Sequence, residues 1–122
     1  MNKLPTDKKA RKERPLARGL LDYFPKALAA VAHVSFVGNQ QHNPGEPMHW
    51  ARDKSPDHAD CILRHLIDRG SFDDDGLPHS AKVAWRALAM LELELEQHPG
   101  NLPGDIPGNL PGENDGANAC DR

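Results

Sequence analysis

Long apolar runs are missing from this 122-residue chain. The longest, residues 27–34, is interrupted by His33 and falls far short of the roughly 20 residues needed to span a bilayer. Cysteine is scarce too. Cys61 lies in a segment of helical pattern and Cys120 in a polar tail, so a disulfide framework is excluded. The N-terminus is charged, but no apolar stretch follows it, and it does not read as a secretory signal. These absences point to a reduced, cytoplasmic protein. Absent as well are a Gly-rich phosphate loop, a Gly-x-Ser-x-Gly elbow and a His-Glu-x-x-His motif. Around His42, Asn43, His49 and His58 there are no β-hairpin signals on which a His-Asn-His nuclease site is built. Hydrophobic residues make up 38% of the chain, below the roughly 45–50% of an average soluble domain, and this excludes a large multidomain enzyme.

What is present is unevenly spread. Residues 1–18 carry seven Lys and Arg against Asp7 and Glu13, a net of +5, which leaves −8 on the rest of a chain whose formal charge is −3. We read residues 1–18 as a basic flexible arm. No aromatic interleaves its first 15 residues, so it lacks the stacking platform of a single-strand binder and nucleic acid is not the expected partner. Residues 98–122 form a tail in which Pro-Gly recurs every four positions from Pro99, with Leu102, Ile106 and Leu110 just before successive prolines. Such a segment cannot propagate a helix and reads as a turn-rich extension. Between them, residues 19–97 are the foldable domain.

The apolar spacing of that domain predicts an all-α fold, a small bundle of three main helices. The first opens at Pro25, where a missing N–H costs nothing, and closes at Gly38 as C-cap. Residues 39–50 contain Pro44, Gly45 and Pro47 and read as a loop. The second helix starts at Ser55 or Pro56 and carries Ala59, Ile62, Leu63, Leu66 and Ile67 as its core stripe; Gly70 ends it. The third runs from Pro78 to about Gln97, with Ala81, Ala84, Leu88, Leu91 and Leu95 as its seam. Three such helices rarely bury enough surface alone, so a homo-oligomer is expected to complete the bundle.

Six of the seven histidines lie between His33 and His79. His58, Cys61 and His65 fall on one flank of the second helix, away from the apolar stripe. They read first as a polar flank; a structural metal site there would need His49 or His79 as well. On the other flank Asp57, Asp60, Arg64 and Asp68 align, and Asp60 with Arg64 is at ion-pair spacing. The run Asp73-Asp74-Asp75 precedes the third helix, whose dipole favours acidic residues there, yet three in succession exceed what capping requires.

The order of several short motifs carries a family resemblance. Arg14-Pro15-Leu16 and Phe24-Pro25-Lys26-Ala27-Leu28 are followed by a loop closing in His49-Trp50. Then come Arg64-His65-Leu66, an acidic segment, Gly76-Leu77-Pro78-His79 and the stretch from Ala84-Trp85-Arg86 to Glu92. Over about residues 14–96 the chain resembles the dATP/dGTP diphosphohydrolase N-terminal domain family, common in phages and prophages. The resemblance implies an all-α protein related in function to MazG-like enzymes. Those convert a (deoxy)nucleoside triphosphate to monophosphate and pyrophosphate with Mg²⁺ or Mn²⁺.

Two functions are compatible with these residues. In a pyrophosphohydrolase-like enzyme, Asp68, Asp73, Asp74 and Asp75 would hold the metal, and Arg64 and Lys54 would neutralise phosphate. Trp50 and Trp85 would stack on the base, His49 and Arg86 would contact nucleotide, and His65 or His79 would orient water. The alternative is a non-catalytic module that sequesters a nucleotide or nucleotide-derived signal, such as a phage anti-defence sponge. It would use the same His, Trp and Arg side chains and no cofactor. The chain contains no Glu-Glu-x-x-Glu helix, whereas Trp and Arg suit base stacking and phosphate forks.

Overall fold

The computed structural model describes residues 3–98. Four α-helices follow in order: α1 (Lys8–Lys12), α2 (Pro25–His42), α3 (His58–Ile67) and α4 (His79–Glu96), with a single π-helical turn at Ala17–Leu21. No strand occurs among the described residues, and the all-α expectation holds with α2, α3 and α4 as its three long helices. The Pro-Gly repeat and Cys120 lie outside the described residues. Pro15–Glu94 forms one compact unit, and the described residues 3–14 and 95–98 belong to another. In that other unit Lys8–Lys12 form α1, whose N-cap Asp7 accepts a hydrogen bond from the Ala10 N–H at 2.9 Å.

Helix α2 starts at Pro25, as its sequence predicts, but runs through Gly38 to His42. A glycine costs a helix only about 1 kcal/mol relative to alanine, and the next residue supplies a reason to continue. Asn39 is buried; its Nδ2 donates to the Glu46 carbonyl (3.1 Å), and its Oδ1 accepts from the His49 N–H (3.2 Å). The helix stops one turn later, at Asn43, because the residue before Pro44 is pushed out of helical geometry.

Helix α3 begins at His58, two to three residues later than the Ser55-Pro56 signal suggests. Its N-cap, Asp57, reaches along the helix to Arg64 Nη2 (3.4 Å) and accepts from Cys61 Sγ (3.6 Å). The expected Asp60–Arg64 pair is therefore replaced by Asp57–Arg64. The larger correction concerns the faces of α3. His58 and Cys61 are buried, while Leu63 is 57% and Ile67 76% exposed. The flank that reads as polar faces inward, and the stripe that reads as core faces out. Helix α4 repeats the pattern in part: Ala81 and Ala89 are buried, but Leu88 and Leu91 are about half exposed. The core comprises small residues, Cys61, Ala81 and Ala89, with Leu77. Polar side chains fasten the helices across it.

The connection between α3 and α4 is a tight, self-bonded loop. Gly70 (φ +86°) turns the chain out of α3. Phe72 and Pro78 form an antiparallel bridge, the Asp73 N–H donates to the Leu77 carbonyl (2.8 Å), and the His79 N–H donates to the Ser71 carbonyl (3.0 Å). At its tip the Gly76 N–H returns to the Asp73 carbonyl (2.9 Å), with Gly76 at φ +82°. Buried Leu77 anchors the loop to the unit.

Nothing lies within 4 Å of a Cβ built on either Gly76 or Gly38, so the two glycines differ in backbone conformation alone. Gly76→Ala is expected to destabilise the protein by about 1–2 kcal/mol, the cost of a left-handed L-residue. Gly38→Ala, within α2, is expected to stabilise it by about 0.5–1 kcal/mol. Urea denaturation followed by circular dichroism measures both; shifts of the same sign would contradict the assignment.

Candidate functional site

The three long helices and the loop between α2 and α3 surround a cleft of about 630 Å³, within the usual range of small-molecule sites. Asn39 builds one wall. By holding the Glu46 carbonyl and the His49 N–H through its side-chain amide, it folds the loop back so that Trp50 meets Trp85 of α4.

Trp50 and Trp85 meet edge to face, with ring centroids 5.8 Å apart and planes at 79°. Trp85 is fixed from α2, its Nε1 donating to Ser35 Oγ at 2.8 Å. The Arg52 guanidinium lies 4.4 Å above the Trp50 ring and that of Arg86 5.9 Å from Trp85, positions in which the ring quadrupoles attract a cation. Arg86 Nη1 is also 3.3 Å from His58 Nδ1. An arginine only donates, so His58 Nδ1 accepts and its proton sits on Nε2. That Nε2 is buried without a partner among the described residues.

The acidic loop delivers the rest. Lys82, one turn into α4, donates to Asp73 Oδ2 (2.6 Å) and Asp75 Oδ2 (2.8 Å). The Lys82 hydrogen bond, reinforced by the Asp74 backbone N–H, holds the Asp73 pKa down to about 2. Asp75 is lowered for the same first reason. Burial works against the Lys82 ammonium, but its two carboxylate bonds outweigh that and keep its pKa above the ordinary lysine value. Across from this triad, His65 Nδ1 and His79 Nδ1 are 2.9 Å apart, so one ring donates and the other accepts. Burial, followed by the Lys82 charge, lowers the His65 pKa below the ordinary imidazole value.

Of the residues singled out in the sequence, His49, Trp50, Lys54, His65, Asp75, Trp85 and Arg86 line the cleft. His79 and Asp73 join His65 in one cluster whose ligand atoms lie within 4.8 Å of one another. Arg64 points elsewhere; its side chain is largely exposed and pairs with Asp57. Asp68 closes α3 and accepts from Ser71 Oγ through its carbonyl (2.6 Å), while Asp74 is exposed on the loop. Neither lines the cleft. The sequence pattern does not single out Asn39, Arg52 or Lys82 as site residues. Only Arg52 has a legible signal, two positions after Trp50 in a loop; the others owe their roles to contacts between separate elements.

The Asp73–Lys82 bond carries a pH dependence of known sign. The Asp73 carboxyl is depressed in the folded chain relative to 3.8, so its contribution is complete above that value and is lost as pH falls toward about 2. Lys82→Met is expected to return the Asp73 titration toward pH 4, read by carboxyl NMR, and to flatten the acid-side loss of stability between about pH 4 and 2. An unchanged Asp73 titration in that variant would contradict the assignment.

Comparison with known proteins adds the family. No curated protein and no solved structure matches the chain. The family model for the N-terminal part of dATP/dGTP diphosphohydrolase matches residues 5–101, which include every side chain of the cleft. The chain belongs to the dATP/dGTP diphosphohydrolase, N-terminal, family.

Proposed function

We propose that the cleft binds a purine (deoxy)nucleoside triphosphate and that the chain serves its conversion to monophosphate and pyrophosphate. The observation that carries this reading is the wall itself. Arg52, Lys54, Lys82 and Arg86 line it beside a Trp50–Trp85 pair, against the single carboxylate of Asp75. Cations with bidentate forks suit phosphate oxygens, aromatic faces suit a base, and family membership supports the substrate class. In this reading Arg52, Lys54 and Arg86 hold the phosphates. Trp50 contacts the base, and His49, beside it on the loop, completes that wall. His65, hydrogen-bonded to His79 at the cleft wall, orients the attacking water.

The divalent ion that such chemistry commonly uses finds few suitable donors here. Mg²⁺ prefers an octahedron of oxygens. Among the described residues only His65, Asp73 and His79 converge, and Lys82 already holds Asp73 and Asp75; Asp68 and Asp74 do not join them. This set does not fit Mg²⁺. Lys82's hold on the two carboxylates also favours a second reading, in which the cleft retains its nucleotide intact and acts by sequestration.

Self-association belongs to the same proposal. The outward apolar stripe of α3, Leu63, Leu66 and Ile67, has no cover within the described residues, and a second copy would bury it. Light scattering is expected to show a multimer that Leu63→Glu with Ile67→Glu dissociates; a wild-type monomer would sink this part. No single helix among the described residues is long and apolar enough to cross a membrane.

A direct assay separates turnover from retention. The full chain is incubated with dATP or dGTP, with and without Mg²⁺ or Mn²⁺; pyrophosphate is measured, and bound nucleotide is recovered after heating. Pyrophosphate release supports hydrolysis, whereas intact nucleotide recovered on heating supports sequestration. Arg52→Ala and Trp50→Ala are each expected to weaken nucleotide binding about tenfold or more, the equivalent of one charge-assisted contact. Absence of binding to the wild-type protein refutes both readings.

A further inference from the structure

The cluster that fails as a Mg²⁺ site has the composition of a different one. We infer that His65, Asp73 and His79 form a nitrogen-rich site for a borderline divalent ion such as Zn²⁺. The two Nδ1 atoms face each other at 2.9 Å. Two imidazole nitrogens on one tetrahedral ion, with bonds of about 2.0–2.1 Å, stand about 3.3 Å apart, so a shift of a few tenths of an ångström converts the hydrogen-bonded pair into a pair of ligands. One atom of Asp73 stands within 4.8 Å of both imidazoles. Two imidazoles and a carboxylate suit Zn²⁺, Co²⁺ or Fe²⁺, and leave a coordination position for water.

The three ligands come from separate elements, and the fold brings them together. His65 sits in the last turn of α3, Asp73 on the self-bonded loop and His79 at the first position of α4. The loop's own hydrogen bonds, from Asp73 to Leu77 and from His79 to Ser71, hold the latter two in register in the ion-free chain. Such preorganisation reduces the ordering cost of binding. Lys82 is the competitor. It holds Asp73 at 2.6 Å, but Asp75 at 2.8 Å gives it a second partner when Asp73 turns to the ion. The side chain of His65 also lines the cleft, which places the ion at the cleft wall. The ion site stands without the nucleotide reading, since its ligands are this chain's own.

Metal binding by the full chain tests it, in competition with a chromophoric chelator and without nucleotide. One equivalent of Zn²⁺ is expected, with Co²⁺ giving the absorption bands of a low-coordinate site and Mg²⁺ in large excess failing to displace either. His65→Ala and His79→Ala should each weaken Zn²⁺ binding about tenfold or more, while His33→Ala, on an exposed position of α2, should not. Circular dichroism confirms that each variant is folded. Zn²⁺ binding that survives both His65→Ala and His79→Ala, displacement by Mg²⁺, or no binding at all would overturn the inference. Because no nucleotide is present, failure here leaves the proposed function to its own assay.

Discussion

The Lys82 ammonium, bonded to Asp73 and Asp75, is the contact on which the functional half of this molecule depends. Three successive acidic residues repel one another, and a tight loop with Gly76 at positive φ brings them close. A single cation one turn into α4 removes that repulsion and ties the loop to the helix. With the loop closed, His79 enters α4 in hydrogen-bond reach of His65. Burial lowers the His65 pKa, and the same charge adds to that from across the cluster. Loop closure and carboxylate ionisation are thus one electrostatic arrangement. These groups are partly solvated, so the arrangement is worth less in stability than the bond lengths suggest; its value lies in placement.

A second constraint runs through the helices. The interior of the 15–94 unit is furnished with Asn39, His58 and small side chains, with Trp85 half-buried, while much of the large aliphatic surface is turned outward. A buried polar group is costly unless it is bonded, and most of these are. Asn39 uses both its amide donor and its oxygen on the loop, Trp85 bonds Ser35, and His58 bonds Arg86. The exception, His58 Nε2, lies beside Arg86 on the cleft wall. An unpaired buried donor costs about 1–3 kcal/mol, and sites of binding are where structures tolerate such a cost.

Much of the architecture is legible in the amino-acid sequence. Pro25 marks the start of α2, the three–four spacing marks α4, and the family resemblance rests on motifs whose order the matched region contains. The faces are not legible. Apolar periodicity identifies a helix and the direction of its greasy side, but it does not say whether that side meets the chain's own core or another surface. On α3 the stripe reads as core, and the tertiary structure turns it out. Gly38 and the Ser55-Pro56 pair are ordinary boundary signals, overridden by Asn39 and by Asp57, whose side chains bond to residues several positions away.

The sequence by itself determined the all-α class, the approximate places of three long helices, the family, and the residue types of the cleft. These follow from local spacing and composition, which act over one or two turns. Only the tertiary structure decided that Arg64 lies apart from the cleft, that Lys82 holds Asp73 and Asp75, and that His65 meets His79. Those outcomes depend on contacts between separate elements. Such contacts are set by how a loop closes and which helix face turns inward, and no periodicity along the chain encodes them.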